Sequence, residues 1–465
     1  MEGTVVRLAS LTLEHIKNVK SGTIVMPSAG DSDFSKMFVA EVLGIYGQNG
    51  SGKTAIVDAL YYIQQIMIGQ KIDQSIVDYI DVDEVSAEII AEFSIHQENV
   101  LYEVGYHISL SRNESEVIIA REYLNCSIQK DGKRTNKTVF MDYQQKEPDP
   151  VFKPVKRLEE LIGKDKEIKT DLIVARKMAE KSNCSYIFGE SSREIIFKNH
   201  NEEFKTYSSI ISALFEFALK DLFVIRNTRS GMITANFILP MAFRVEKELM
   251  GVKGDFAVPL REPVVLDTER KELLEEIVNQ INMVLYTIIP GMRIEIRNYG
   301  KLAMDSGSEG WRVELMSVRE GKKPIPIRME SEGIIKIISI LNALILAFSN
   351  PSVCLAIDEF DAGIFEYMLG ELLDIFAKSA KGQLVFTSHN LRALEMLKKE
   401  SIMFSTANPD NRYIHMKNVK GTNNLRSLYI RSITLGGQDE VIYEETDSLK
   451  IAKAFRKAGR SLKNE

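Results

Sequence analysis

The residues Gly47-Gln48-Asn49-Gly50-Ser51-Gly52-Lys53-Thr54 place two glycines, with four residues between them, directly before a lysine and a hydroxyl side chain. That spacing builds a phosphate cradle. A glycine-rich turn can point its backbone N–H groups inward as an anion nest, and a helix opening at about Lys53 adds free amides and a favourable dipole. Lys53 would then reach the β and γ phosphates of a nucleotide, and the Thr54 hydroxyl would ligate Mg2+.

Two later stretches would complete such a site. Val353-Cys354-Leu355-Ala356-Ile357 is a short apolar run ending in Asp358-Glu359, as a buried parallel strand does when it presents acids beside a phosphate loop. Asp358 would hold Mg2+ through its water shell, and Glu359 would orient and deprotonate an attacking water. Gln383 to Thr387 reads as another buried strand leading into Ser388-His389-Asn390, so the His389 imidazole falls where it can hydrogen-bond a γ-phosphate or that water. His15, His96, His107, His200 and His415 read as ordinary structural histidines. Ser331-Glu332-Gly333 opens an apolar helix, where Ser331 is a cap at an N-terminus open to anions.

These residues need a scaffold. Val42-Leu43-Gly44-Ile45-Tyr46 is the apolar strand that delivers the loop, and Ala55 to Gln65 is the helix after it. The opening residues, about 4 to 26, read as a hairpin. From Ala87 the alternation is strict, with Ala87, Ile89, Ala91, Phe93 and Ile95 on one face, and it continues through Tyr102 to Leu110 and Val117 to Tyr123. An antiparallel meander over about 86 to 142 follows from it, with Asp131-Gly132 as a hairpin turn. After Pro148-Asp149-Pro150 the period turns helical and charge density rises, a candidate boundary. Ser209 to Leu222 and Thr268 to Ile289 are the clearest helices there, the second capped by Asp267 or Thr268 and ended by Pro290-Gly291. Strand signals return at Arg293 to Asn298 and Trp311 to Val318. No heptad pattern lasts long enough for a coiled coil.

At 465 residues and 45% hydrophobic content the chain has material for two or three cored domains. A net charge of −6 gives no global pull toward nucleic acid. Cys126, Cys184 and Cys354 lie far apart, match no metal spacing and point to a reduced, cytoplasmic setting. The N-terminus runs straight into strand alternation, so no signal peptide is expected. The longest apolar stretch, Gly333 to Phe348, contains Lys336 and Asn342 and falls short of the ~20 residues of a bilayer span. It reads as a buried helix, and no membrane partner is expected.

The order Gly47 to Thr54, Ser331-Glu332-Gly333, Ala356-Ile357-Asp358-Glu359 and Thr387-Ser388-His389-Asn390 resembles the ABC-type ATPase heads of the SMC, RecF and OLD-like families. Leu13 to Lys20 looks like their first strand and turn, and Phe360-Asp361-Ala362-Gly363-Ile364 is similar to the compact OLD-like ATPases of bacterial anti-phage defence. The likeness covers about 1 to 145 and 291 to 415. It implies an α/β fold: an ABC-type P-loop head with a mixed core sheet, an antiparallel meander and a helical insertion. The division implied is an N-terminal ATPase lobe at 1–147, a helical insertion at 148–290, a C-terminal ATPase lobe at 291–435 and a helical tail at 436–465.

The resemblance also implies ATP and Mg2+ as cofactors, and a homodimer in which Ser331 and Gly333 of one copy act on the nucleotide held by the other. Ser331-Glu332-Gly333-Ile334-Ile335 departs from the usual Gly-Gly-Gln or Gly-Glu ending, and no glutamine-loop residue is fixed, Gln144 or Gln145 at the meander's end being the candidates. Leu435-Gly436-Gly437-Gln438 mimics a signature but follows the acids, which rules it out. The interval from Lys53 to Asp358 is too short for a long-armed SMC protein. The roughly 75 residues after His389 hold no acid cluster of the kind a metal nuclease needs, so no cutting activity is expected.

The preferred expectation is an ATP-driven switch acting on an effector protein, a nuclease or toxin. The alternative is a RecF/SMC-like repair ATPase that binds DNA, which the basic residues among 153–181 and a terminal helix at Ser448 to Leu462 would suit. That helix reads as docked through Ile451, Phe455, Ala458 and Leu462 with its basic face in solvent, and Arg226 and Arg229 read as surface pairing.

Overall fold

The computed structural model describes residues 3–31, 33–113, 116–146, 151–153, 156, 159, 166–198, 202–247, 250–304, 308–417 and 425–461. Strands β1 (Val5–Ile16) and β2 (Val19–Val25) pair antiparallel, with Ile16 opposite Val19. β3 (Glu41–Tyr46) is buried at every residue, as its apolar run requires. α1 (Lys53–Met67) starts from Gly52, whose φ of 84° lies in the left-handed region that glycine enters without steric cost.

The alternation from Ala87 becomes β4 (Ser86–Gln97), and Ala87, Ile89, Ala91, Phe93 and Ile95 are all buried. β5 (Val100–Asn113), β6 (Glu116–Lys130), β7 (Lys133–Arg134) and β8 (Thr138–Gln144) continue the meander. Asp131 and Gly132, with φ of 49° and 74°, supply the two left-handed residues of the hairpin between β6 and β7. The sheet runs β2-β1-β4-β5-β6-β7 with β8 on β6, so the opening hairpin belongs to the meander. Its inner face packs on α1 and on the segment after the meander through pairs such as Phe93–Phe217 and Tyr106–Phe188, whose ring centroids are 5.8 and 5.1 Å apart. Each fully buried side chain of this size contributes roughly 1.5–3 kcal/mol.

The stretch 148–290 is mixed rather than helical. Pro148-Asp149-Pro150 lies outside the described residues. α2 (Lys166–Ser182), α3 (Glu190–Lys198) and α4 (Glu202–Glu216) are helices. The helix expected at Ser209 to Leu222 begins earlier and ends earlier: it passes into a π-helical turn, Phe217–Asp221, and Leu222 already starts strand β9 (Leu222–Ile225). The π turn leaves carbonyls without helical partners, and side chains take them up. Lys253 Nζ donates to Ala218 O at 3.0 Å and to Leu222 O at 2.5 Å, and Gln64 Nε2 donates to Ala218 O at 3.1 Å. A four-residue apolar run carries no period of its own, so the helix pattern before it masked the strand.

Beyond β9 come α5 (Asn227–Thr234), a hairpin of β10 (Ile238–Lys247) and β11 (Met250–Pro259), β12 (Val264–Leu266) and α6 (Thr268–Ile288). The Arg270 N–H donates to Asp267 Oδ1 at 2.7 Å, so Asp267 caps α6. β13 (Met292–Ala303) and β14 (Glu309–Arg319) follow as expected, and β15 (Ile325–Pro326) joins β14.

α7 (Glu332–Ser349) is apolar and long enough by composition to cross a membrane, yet 67% of it is buried inside the fold. It is a core helix: Asn342 Nδ2 donates to Ala242 O of β10 at 2.9 Å, and Ile337, Ile340 and Leu344 pack under the core sheet. The chain then alternates through β16 (Cys354–Ile357), α8 (Glu366–Ser379), β17 (Gln383–Ser388), α9 (Ala393–Met396), β18 (Ile402–Ser405) and β19 (Tyr413–Ile414). With β3 and β9 these strands form a six-stranded sheet ordered β19-β18-β3-β17-β16-β9, parallel except at β19.

One tail expectation changes. α10 (Leu425–Leu435) ends on Gly436, with φ 69°, so the Leu435-Gly436-Gly437 run is a helix stop. α11 (Ser448–Ser461) forms where expected but is not docked: Leu449, Ile451 and Phe455 are 72, 44 and 76% exposed. Ile451 and Phe455 of its stripe stay exposed, and Leu462 lies outside the described residues.

Candidate functional site

In the core sheet, β17 separates the strand that leads into the glycine-rich loop from the strand that ends in Asp358. All three parallel strands end at the same edge, so the loop, the acids and His389 emerge together. Gly50 and Gly52 have positive φ, which supplies the alternating handedness an anion nest uses. A Cβ on Gly47 would lie 1.9 Å from Ser405 Oγ, so β18 presses against the loop where only glycine fits. Ser51 Oγ is 2.5 Å from Ser405 Oγ, the Tyr413 hydroxyl donates to Gly52 O at 2.6 Å, and Asn18 Nδ2 donates to Gly50 O. Gln48 Oε1 accepts the Glu444 N–H at 3.0 Å, while Asn49 is exposed at the loop's tip.

Lys53 is buried and arches back over the loop, donating to Gly47 O at 3.0 Å and Gln48 O at 2.8 Å. Burial lowers its pKa, and Asp358, Glu359 and Asp361 act in the opposite sense. The Thr54 hydroxyl lies 3.3 Å from Asp358 Oδ1. That same oxygen accepts the Thr387 hydroxyl at 2.6 Å, and the Asp358 N–H donates to Ile225 O of β9 at 2.9 Å. Asp358 is 2% exposed, and its Oδ2 has no hydrogen-bond partner among the described residues.

An orphaned buried carboxylate oxygen beside a threonine hydroxyl suits a hard cation. Among the described residues no group of three or more His, Cys, Asp or Glu could hold a metal alone. One hydroxyl and one carboxylate therefore fit Mg2+ in company with phosphate and water oxygens, and do not fit a zinc centre.

Glu359 has φ of 48°, a left-handed backbone that a non-glycine residue enters at a cost of about 1–2 kcal/mol. Its N–H donates to Thr387 Oγ1 at 2.7 Å and its carbonyl accepts Lys336 Nζ at 2.5 Å. His389 is exposed at the rim, its N–H bonded to Asp361 Oδ2 at 3.0 Å. Partial desolvation holds the imidazole below the ordinary histidine pKa, as does Lys53, with Asp361, Glu359 and Asp358 opposing.

Ser331 and Gly333 lie at the start of α7, where Gly333 packs on Gly363 of the turn after the acids. Ser331 is exposed at the start of α7, and its side chain makes no cap hydrogen bond. Gly333 is buried, and a Cβ there would lie 1.8 Å from Gly363 O, so its smallness is needed within its own chain. Gln144 and Gln145 bond to Arg176 and Ala120 at the end of the meander, not to the loop. Arg226 is paired as expected, with Asp58 Oδ1 at 2.7 Å and the Tyr79 hydroxyl at 2.6 Å; the Arg229 side chain lies outside the described residues.

Several contributors escaped the sequence. Thr387 and Asp361 stand inside the stretches singled out above but carry no role there, and Ser405 looks like an ordinary strand residue. Lys336 left a trace, as a charge inside an apolar helix.

The parallel sheet, the loop at a helix N-terminus and the acids at the neighbouring strand ends define a P-loop nucleotide site on a mixed α/β fold. Residues 33–394 match the sequence model of the family described as an AAA ATPase domain, and the chain belongs to that family. No curated protein matches it. Among solved structures it is similar to the Smc head domain with an extended coiled coil bound to the C-terminal domain of ScpA, from Pyrococcus furiosus, at 15% identity and TM-score 0.39, covering 88% of this chain and 96% of that one. It is similar too to the SMC head domain from Thermotoga maritima, at 12% identity and TM-score 0.35 over 88% and 99% of the two chains. The recombination mediator protein RecF with ATP is similar at 12% identity and TM-score 0.32 over 83% and 94%. These similarities are loose, and the family rests on the sequence match.

Proposed function

We propose that this protein is an ATP-hydrolysing switch whose copies close on nucleotide and control a separate effector protein. The observation that carries the reading is the unpartnered Asp358 Oδ2, buried beside the Thr54 hydroxyl at the foot of the phosphate loop. The loop from Gly47 to Gly52 and the N-terminus of α1 take the phosphates, and Lys53 swings from the loop carbonyls to the β and γ oxygens. Thr54 and Asp358 would hold Mg2+, which supplies neutralisation of charge on the transferring phosphoryl group. Glu359 takes a proton from the attacking water, and the neutral His389 imidazole donates to the γ-phosphate or orients that water.

Ser331, exposed at the N-cap of α7 with its side chain in no cap hydrogen bond, is suited to meet the nucleotide of a second copy. Gly333 supports it from inside, since it is packed against Gly363. A homodimer follows from this division of the site. β9, in the middle of the 148–290 stretch, is bonded to the acid strand at Asp358, which gives that stretch a path for relaying the nucleotide state. A nuclease or toxin effector, as in OLD-like anti-phage defence, rests on the form of the Phe360 to Ile364 segment.

A second reading, a RecF/SMC-like repair ATPase, draws on the exposed Lys450, Lys453, Arg456, Lys457 and Arg460 of α11. It requires ATP-dependent DNA binding that weakens steeply with salt. E359Q is the deciding variant: it keeps nucleotide affinity and loses about 100-fold or more in turnover. Unchanged turnover would end the mechanism. Captured with ATP from its native cells, E359Q brings down a nuclease or toxin under the first reading, and DNA with repair proteins under the second.

A further inference from the structure

The turn after Asp358 is held from three directions. β17 holds it through Thr387, whose hydroxyl accepts the Glu359 N–H at 2.7 Å and whose carbonyl accepts the Phe360 N–H at 3.0 Å. The turn closes on itself through the Ala362 N–H, which donates to Glu359 O at 3.0 Å. The third hold comes from α7: Lys336, 4% exposed, sends its ammonium to the same Glu359 carbonyl at 2.5 Å. One turn earlier, Gly333 lies so close to Gly363 that no side chain fits between them.

A buried lysine in an apolar helix is costly unless something specific uses its charge. Here Asp361, Glu359 and Asp358 all favour its charged form, as they do for the phosphate-loop lysine. Its acceptor belongs to the one residue of the cluster with a left-handed, non-glycine backbone. Such a conformation persists only where the surroundings over-determine it.

We propose that Lys336 is a positioning residue for hydrolysis: its ammonium fixes the Glu359 carbonyl, and with it the backbone that aims the Glu359 carboxylate, so the start of α7 and the general base move as one body. The inference rests on the reading of Glu359 as that base. It gives contact at Ser331, on the exposed end of the same helix, a mechanical route to the base.

The test uses the full chain with K336M, which matches length and suits the apolar surroundings, K336R, which restores the charge, and both again in E359Q. K336M should lower kcat about tenfold or more with nucleotide Kd within about twofold of wild type, and K336R should recover most of the loss. In the E359Q background K336M should add almost nothing, because it acts through the side chain already removed. Hydrogen exchange without nucleotide should quicken at residues 359–362 in K336M and stay unchanged along β16 and β17.

Turnover in K336M within about twofold of wild type overturns the proposal, as does an equal fractional loss in the E359Q background, or faster exchange spread over the core sheet. A wild-type protein that binds nucleotide and never turns it over removes the hydrolysis reading itself. Turnover that is present but indifferent to K336M removes only the role of Lys336.

Discussion

The Thr387 hydroxyl accepts the Glu359 N–H at 2.7 Å and donates its own proton to Asp358 Oδ1 at 2.6 Å, so one side chain fixes both acids at once. The hydroxyl's direction is determined, because a backbone N–H can only donate. T387V keeps the shape and removes both bonds, leaving a Glu359 N–H without its acceptor, a loss of about 1–3 kcal/mol. Turnover should fall about 10- to 100-fold with nucleotide affinity little changed, while T387S stays near wild type. Phosphate release alongside fluorescent-nucleotide titration reads both quantities. Equal rates in T387V and T387S would dismiss the relay.

Asp358 offers its charge to the site through Oδ2, since Oδ1 is engaged by Thr387 and Thr54. D358N keeps an oxygen for those two hydroxyls and discards the charge. The Mg2+ concentration that supports half-maximal nucleotide binding should rise by about tenfold or more, and binding without Mg2+ should hold or improve as repulsion of the phosphates is relieved. An unshifted Mg2+ titration would place the cation elsewhere.

His389 makes a prediction about acidity. Desolvation and Lys53 lower its pKa from the ordinary 6.5, so the folded protein resists protonating it and the imidazole stays neutral at pH 7. If the neutral ring serves turnover, the acid loss due to His389 sets in below pH 6.5. H389Q, which keeps a neutral donor, should lose that limb and retain any limb due to Glu359. A kcat profile from about pH 5 to about 8.5 separates them. A limb centred above 6.5 that vanishes in H389Q would contradict the shift.

The loop, the acids and the meander were legible because each has a local signature: glycine spacing, an apolar run ending in acids, and strict alternation. What stayed hidden depends on neighbours distant in sequence. Ser405 reaches Gly47 across more than 350 residues, and Lys336 reads as a blemish in a buried helix until the Glu359 carbonyl appears beside it. β9 is hidden because Leu222-Phe223-Val224-Ile225 follows directly on a helical pattern and is too short for a period of its own, and its identity comes from pairing with β16. Gly333 looked like a ligand contact, and its close approach to Gly363 shows a packing reason for the same residue.

Glu122 is fully buried in the meander, and its donors among the described residues are neutral: the Tyr106 hydroxyl donates to Oε1 at 2.6 Å, Ser185 Oγ at 2.5 Å, and the Tyr186 N–H donates to Oε2 at 2.6 Å. The carboxylate thereby staples β6 to the chain leading from α2 to α3. Desolvation outweighs these bonds and raises its pKa. E122A strands several buried donors and should cost roughly 2–5 kcal/mol in urea unfolding. E122Q should cost far less, because its carbonyl can take the Tyr186 N–H while the two hydroxyls rotate to accept from its amide. The pH dependence has a definite sign. A raised folded-state pKa means the unfolded chain ionises Glu122 first, so wild-type stability drops as pH climbs from the ordinary 4.5 through the raised value. E122Q lacks this drop, and its stability relative to wild type should improve as pH rises. A gap between the two that widens against E122Q with pH would show instead that the hydrogen bonds outweigh the desolvation of the charge.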